Sequence, residues 1–134
     1  MIALDTNVFV RFLVDTPDGE TEQVRRAREL VTAAESRGEQ ILVTHVVLAE
    51  TVWVLRKVYK VPKPDVIEGF REVIASAGFT VEDLPAAEAA LDAWATAKGD
   101  FADFLIHIRA KALGAAIVYT FDVELHAHEG FAKP

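Results

Sequence analysis

The sequence predicts an α/β fold built on a mainly parallel sheet with helices on both faces. Three observations carry this. Short apolar runs at residues 2–4, 41–43, 79–81 and 115–119 alternate with longer segments whose apolar residues recur at helical spacing. The first run, Ile2-Ala3-Leu4, lacks polar alternation, as expected for a strand in a sheet covered on both faces. The chain has 134 residues, 51% hydrophobic and 26% charged, enough to bury a core as one domain over residues 1–134.

The elements follow in order. Ile2, Ala3 and Leu4 form the first strand, and Asp5, Thr6 and Asn7 bring capping chemistry to a short helix carrying Val8, Phe9, Phe12 and Leu13. A turn is expected at Pro17-Asp18-Gly19. Val24, Ala27, Val31 and Ala34 then mark an amphipathic helix that ends at Gly38. After the run 41–43, Thr44 caps a helix THVVLAETVWVLRKVY. Pro62 and Pro64 break it, and Asp65 helps start a helix that places Val66, Phe70 and Val73 on one face before Gly78. The run 79–81 is a third strand, and Pro85 opens an alanine-rich helix packing through Leu91 and Trp94. A helix from Asp100 to Leu113 stops at Gly114, and the fourth strand, 115–119, runs into Thr120-Phe121-Asp122. Strands alternating with helices imply crossover connections in a parallel sheet.

Composition narrows the chemistry. The absence of cysteine excludes disulfides, thiolate zinc sites and cysteine nucleophiles. The apolar runs fall far short of the roughly 20 residues of a membrane helix, and MIALDTN has no signal-peptide pattern, so a cytoplasmic protein with no membrane partner is expected. A formal net charge of −7 argues against a protein that coats nucleic acid through basic charge. It leaves room for a nucleic-acid enzyme whose acids gather around metal ions.

Four carboxylates stand where packing favours something else. Asp5 lies at the carboxyl end of the first strand and Asp122 just past that of the fourth, the edge where parallel sheets bind ligands. Glu50 and Asp103 each interrupt helices that are apolar nearly all round and therefore expected to be buried. Each residue also has a plain structural reading. Asp5 reads as a helix cap, Asp122 as a turn or capping residue, and Asp100 as the N-cap following Gly99. Glu50 reads as half of an internal ion pair, although Arg56 and Lys57 lie a turn and a half or more along the helix, on faces taken to differ. No basic residue is placed to neutralise the four together. Two carboxylates ~5 Å apart repel by roughly 3 kcal/mol at an effective dielectric near 20, so such a cluster calls for a counter-charge. All-oxygen ligands select Mg²⁺ or Mn²⁺, ions suited to activating water against a phosphodiester.

With LDTNVFV at the start, the helix LAETVWVL, the segment GDFADFLIHIRAKALG and YTFD near the end, the chain resembles the PIN domains, specifically the VapC-type ribonuclease toxins of toxin–antitoxin pairs. LDTN alone is a weak signal; the ordered set carries the resemblance, over essentially the whole chain. It implies a three-layer α/β/α sandwich whose parallel sheet has four or five strands, and a divalent-metal endoribonuclease acting on RNA. It also implies a homodimer and a small VapB-type antitoxin whose tail places a basic side chain among the carboxylates. Asp5, Glu50, Asp103 and Asp122 match the family's metal-binding acidic quartet, and Asp100 matches an acid often found beside it. Thr6, Asn7 and Thr120 match the polar positions that orient carboxylates or water. The implied cofactor is Mg²⁺, with Mn²⁺ as substitute.

Other classes fit less well. A non-catalytic PIN-like module binding RNA or protein would be marked by loss of quartet acids, and none is lost. A phosphoacceptor receiver domain needs paired acids at the first strand, where Thr6 follows Asp5, and a lysine after Tyr119-Thr120, where none occurs. An Asp-x-Asp phosphatase nucleophile fails at Asn7. The four histidines, His45, His107, His126 and His128, show no His-x-x-x-His pair with a third ligand. Arg56, Lys57, Lys60 and Lys63 form an acid-free basic stretch that reads as a solvated helix end or as a phosphate-steering patch. For a homodimer surface, Trp53, Val54 and Val58 with Val66 and Phe70 offer more apolar area than one small sheet readily covers. The segment 124–128 is not obviously a strand.

Overall fold

The computed structural model describes residues 1–14 and 19–134, so the turn expected at Pro17-Asp18-Gly19 has its first two residues outside the described set. The chain divides into two compact units, Met1–Glu82 and Asp83–Pro134.

In the first unit the order is β1 (Ile2–Ala3), α1 (Thr6–Leu13), α2 (Glu22–Ser36), β2 (Ile41–Val43), α3 (His45–Lys57), α4 (Lys63–Ala75) and β3 (Phe79–Val81). The strands form a parallel sheet in the order β1-β2-β3, with Ile2 opposite Ile41 and Val43 opposite Val81. Three of the helices start where short polar side chains satisfy otherwise orphaned backbone N–H groups. Asp5, Thr21 and Thr44 accept from the amides of Val8, Val24 and Val47 respectively. Helix α2 ends at Arg37, and Gly38 then takes a φ of +65°, which a side chain would strain. The exposed face of α2 is laced by Arg25, which donates to Glu22 at 2.7 Å and Glu29 at 2.6 Å.

The central strand explains the run 41–43: Ile41 and Val43 are completely buried. Phe9 on α1 is also fully buried, its ring 6.1 Å from that of Phe70 and 6.3 Å from that of Phe79. Burial of one such ring is worth about 1.5–3 kcal/mol, which is why a two-residue β1 suffices to anchor the chain start. Val66 and Phe70, expected to help form a dimer surface, are both 2% exposed and belong to this core. Their spacing marked a buried face correctly, but that face is covered within the unit.

The second unit comprises α5 (Leu84–Thr96), α6 (Phe101–Ala112), β4 (Val118–Tyr119), a 3-10 helix (Val123–Ala127) and β5 (Phe131–Ala132). Asp83 starts α5 by accepting from the Ala86 amide, and its carboxylate pairs with Arg109, which ties α5 to α6. The Trp94 ring packs edge-on against Phe101, and its indole N–H donates to the Gly99 carbonyl at 3.1 Å. That bond holds the short connection just before α6.

The expected sheet of four or five strands is corrected. Among the described residues the main sheet has three strands, and β4 pairs with β5 in a separate parallel ribbon. The reason lies in the backbone. Val118 donates to Gly130 and Thr120 to Ala132, so the tail takes the hydrogen bonds of the fourth strand. That strand is also shorter than the apolar run 115–119, whose first three residues are exposed. The segment 124–128, which did not read as a strand, lies within the 3-10 helix and its C-cap, with Leu125 completely buried.

Candidate functional site

Asp5 sits where β1 has just ended, exposed, at the N-cap of α1. Its Oδ1 accepts from the Val8 amide at 3.0 Å, and this is its side-chain hydrogen bond among the described residues. The cap reading is therefore realised, and it occupies one oxygen of two. Thr6 and Asn7 are the first residues of α1; the Asn7 carbonyl accepts from Arg11 Nη1 at 3.2 Å, while its side chain borders a groove with Val8, Arg11, Arg26 and Leu30.

Glu50 lies in the middle of α3, and the expectation that this helix is buried all round does not hold. His45, Val47, Leu48, Thr51, Val52 and Leu55 are buried, whereas Val46, Glu50, Trp53 and Lys57 are exposed. These four fall at intervals of four, three and four, which is one face of a helix, with Arg56 exposed at its margin. Lys57 therefore shares the face of Glu50, two turns away, rather than standing on another. The Glu50 side chain makes no hydrogen bond or ion pair among the described residues. Solvent hydrates this carboxylate, so no desolvation penalty needs an internal partner.

The second unit holds three of the acids, Asp100, Asp103 and Asp122. Asp100 is the N-cap of α6, and Asp103 in its first turn reaches back so that Oδ2 accepts from the Asp100 amide at 2.9 Å. Asp103 is half-buried, and its carboxyl titrates above the ordinary carboxylate range. Burial is the main cause, opposed by the Asp100 amide and reinforced by the negative charges of Asp100 and Asp122. Among the described residues, the charges shifting it are those of Asp100 and Asp122. Helix α6, like α3, is buried on one side only: Phe101, Phe104 and Leu105 are covered and Ile106 is 53% exposed.

Asp122 is aimed by the loop that follows β4. Thr120 Oγ1 accepts from the Asp122 amide at 3.1 Å, and Asp122 Oδ1 accepts from the Glu124 amide at 3.0 Å, starting the 3-10 helix. Beneath this loop the His126 ring is bonded to the Thr120 carbonyl at 2.7 Å. Thr120 is thus held at its amide by Ala132, at its carbonyl by His126 and at its hydroxyl by the Asp122 amide. The role of His126 had no sequence signal, because the contact depends on a 3-10 turn within a tail without periodicity.

Within either unit, among the described residues, no three His, Asp or Glu side chains are gathered closely enough to cage a metal ion. In the second unit the negative charges of Asp100 and Asp122 act on half-buried Asp103, and a hard cation would offset them. That donor chemistry fits Mg²⁺ or Mn²⁺ and suits no soft metal.

Residues 2–130 match the family model for the PIN domain. The chain is 30% identical over 121 residues to a VapC ribonuclease of Aquifex aeolicus (strain VF5), covering 90% of this chain and 87% of that protein. On both grounds, the chain belongs to the PIN domain family.

Proposed function

We propose that this chain works as a single domain, an endoribonuclease of the VapC kind that cuts RNA in the cytoplasm with Mg²⁺, or Mn²⁺ in its place. Asp5, Glu50, Asp103 and Asp122 hold the metal, and Thr6, Asn7 and Thr120 orient carboxylates or water. Asp100 caps α6 and adds negative charge beside Asp103. The observation that carries the reading is Asp103, a half-buried acid that accepts from the Asp100 amide at 2.9 Å and feels the negative charges of Asp100 and Asp122. Its support in the comparisons is the similarity to a VapC ribonuclease.

A divalent ion, when bound, supplies the positive charge that activates a water and offsets negative charge on the leaving oxygen of a phosphodiester. The chain's own residues prepare for it. The Asp100 amide fixes one oxygen of Asp103 and the Glu124 amide one oxygen of Asp122, so each acid keeps a second oxygen for a ligand. Asp5 does the same with the Val8 amide. Capping thus orients these ligands rather than competing with their role.

The test is cleavage of RNA with and without chelator. Cutting should require Mg²⁺ or Mn²⁺ and leave 5′-phosphate and 3′-hydroxyl ends. Undiminished cutting in excess chelator, or 2′,3′-cyclic phosphate ends, would reject the mechanism. A protein that binds RNA and never cuts it would be the non-catalytic module instead.

Two partners complete the proposal. A small VapB-type antitoxin should copurify on co-expression and compete with Mg²⁺, because a basic side chain among the carboxylates substitutes for the metal's charge. Full inhibition by an antitoxin stripped of its basic tail residues would count against this. Two copies of the chain should pair through the Val54 and Val58 side of α3, where Val58 is 62% exposed. Light scattering that shows a monomer throughout the micromolar range would remove the dimer.

A further inference from the structure

One face of α3 carries more than the acid assigned to it. Along it run Val46, Glu50, Trp53 and Lys57, all exposed, and three residues further on Lys60 leaves the helix end with a φ of +55°. Trp53 is 58% exposed although its helix buries six other side chains. This indole stands in water one helical turn from Glu50, the proposed metal ligand. From Thr51 through Pro64 the chain has no acid and has Arg56, Lys57, Lys60 and Lys63. Arg56 donates to the Val61 carbonyl at 3.0 Å, which fixes the connection where these charges crowd. They act on one another: burial and the neighbouring Arg56 together push the Lys63 ammonium below its ordinary range. In a chain of net charge −7, this is a local concentration of positive charge beside an exposed aromatic.

We propose that this face of α3 is a binding track for single-stranded RNA, with Trp53 as a stacking platform for an unpaired base and Lys57, Lys60 and Arg56 as contacts to the flanking phosphates. The chemistry is that of single-strand binders, in which aromatic faces take bases and cations follow the backbone. The track starts at Glu50, so a strand whose phosphodiester is attacked there lays its next nucleotides over Trp53. The inference rests on the nuclease reading for that direction. It also rests on it for excluding a second copy of the chain, which would cover Glu50 if seated here.

The probe is a short single-stranded RNA of mixed sequence with a terminal fluorophore, titrated with the full chain in chelator so that nothing is cut. Trp53→Ala should weaken binding about tenfold, the size of one lost stacking contact. Trp53→Phe keeps an aromatic face and should lose less. Lys57→Ala with Lys60→Ala should lower the slope of log affinity against log salt by about 1.4, two phosphate contacts' worth. Duplex RNA, with its bases already stacked, should bind independently of residue 53. RNA should also quench the emission of Trp53 in the parent protein, a change absent from Trp53→Phe because Trp94 is buried. Trp53 touches solvent rather than core, so melting temperature should barely change and affinity losses report the surface. If Trp53→Ala binds as tightly as the parent and no quenching occurs, the track is overturned, while metal-dependent cutting by the parent would leave the nuclease standing. If binding depends on Trp53 but the parent never cuts, the track stands and the nuclease falls. If Trp53→Ala changes only the oligomeric size at constant RNA affinity, the face is a contact between copies and the proposal is overturned.

Discussion

Helices α1 and α6 both open with acidic side chains bonded to backbone amides, yet the two N-termini differ in what capping leaves unexplained. At α1, Asp5 is exposed and accepts from the Val8 amide, as an N-cap residue does anywhere. At α6, Asp103 accepts from the Asp100 amide while half-buried beside Asp100 and Asp122, and its charge is disfavoured. A cap favours the carboxylate form; here burial and two like charges outweigh it. The comparison teaches that a capping bond and a ligand role are separate questions. Geometry alone answers only the first for Asp5, whereas at Asp103 the surplus of negative charge argues for the second.

The largest effect should come from neutralising the acids without changing their shape. Asp103→Asn keeps an oxygen for the Asp100 amide, so it should fold, yet lose more than about 100-fold in Mg²⁺-dependent RNA cleavage. Even an outer partner of a metal ligand is worth 10–100-fold. Glu50→Gln should behave alike, since Glu50 is exposed and nothing in the fold depends on its charge. Should Asp103→Asn retain activity, the contrast between the two N-termini would reduce to differences in burial, and the metal assignment would fail.

Next in size is the support beneath Asp122. Gly130 takes a φ of +93°, and a Cβ there would run into the His107 ring. Gly130→Ala should therefore cost on the order of 1–3 kcal/mol by strain and displacement, read as a lowered melting temperature. Because Val118 bonds to Gly130 and Thr120 to Ala132, the loss should spread to the loop carrying Asp122. An unchanged melting temperature would mean that the ribbon of β4 and β5 does not hold that loop.

These cases also show what could be read from the residues alone. Helix starts at Asp5, Thr44 and Asp100 were legible because capping is local chemistry. The run 41–43 was legible as a short apolar strand, whereas its central place in the sheet required coordinates. The pairing of β4 was not, since a partner strand of two residues, Phe131–Ala132, carries no periodicity and only backbone hydrogen bonds define it. Burial of Glu50 was misjudged for a related reason. A helix rich in apolar residues all round looks buried, yet α3 leaves Val46 and Trp53 in solvent, and exposure depends on neighbours that composition does not specify. The bonding of the proposed quartet, one capped oxygen at each of three acids, required coordinates.

A smaller effect sharpens the α1 side. Asp5→Ala removes the acceptor for the Val8 amide and should cost about 1 kcal/mol, whereas Asp5→Asn should cost almost nothing in folding. If Asp5 is also a ligand, both variants should be equally inactive with Mg²⁺. Thermal melts in chelator beside cleavage assays separate the roles: activity in Asp5→Asn would leave Asp5 as a cap alone.

The smallest effect tests the α6 side through pH. Asp103 has a raised pKa in the folded protein, so between the ordinary carboxylate value of 3.8 and that raised value the folded chain holds more protons than the unfolded chain. Stability then falls as pH rises through this window, by the sign of the proton difference. This contribution is fully present below the unfolded pKa and is lost once pH passes the folded one. Other carboxylates have the opposite sign: the Arg37 guanidinium holds Glu39 below its ordinary range, and that contribution is lost as pH falls. The test is therefore a difference between the parent and Asp103→Asn, both in chelator, across the acid range. The parent should gain stability relative to the variant as pH is lowered, and Mg²⁺ should erase the gap at neutral pH by stabilising the parent alone. Parallel curves with and without metal would show that the crowding at Asp103 stores no repulsion for a cation to relieve.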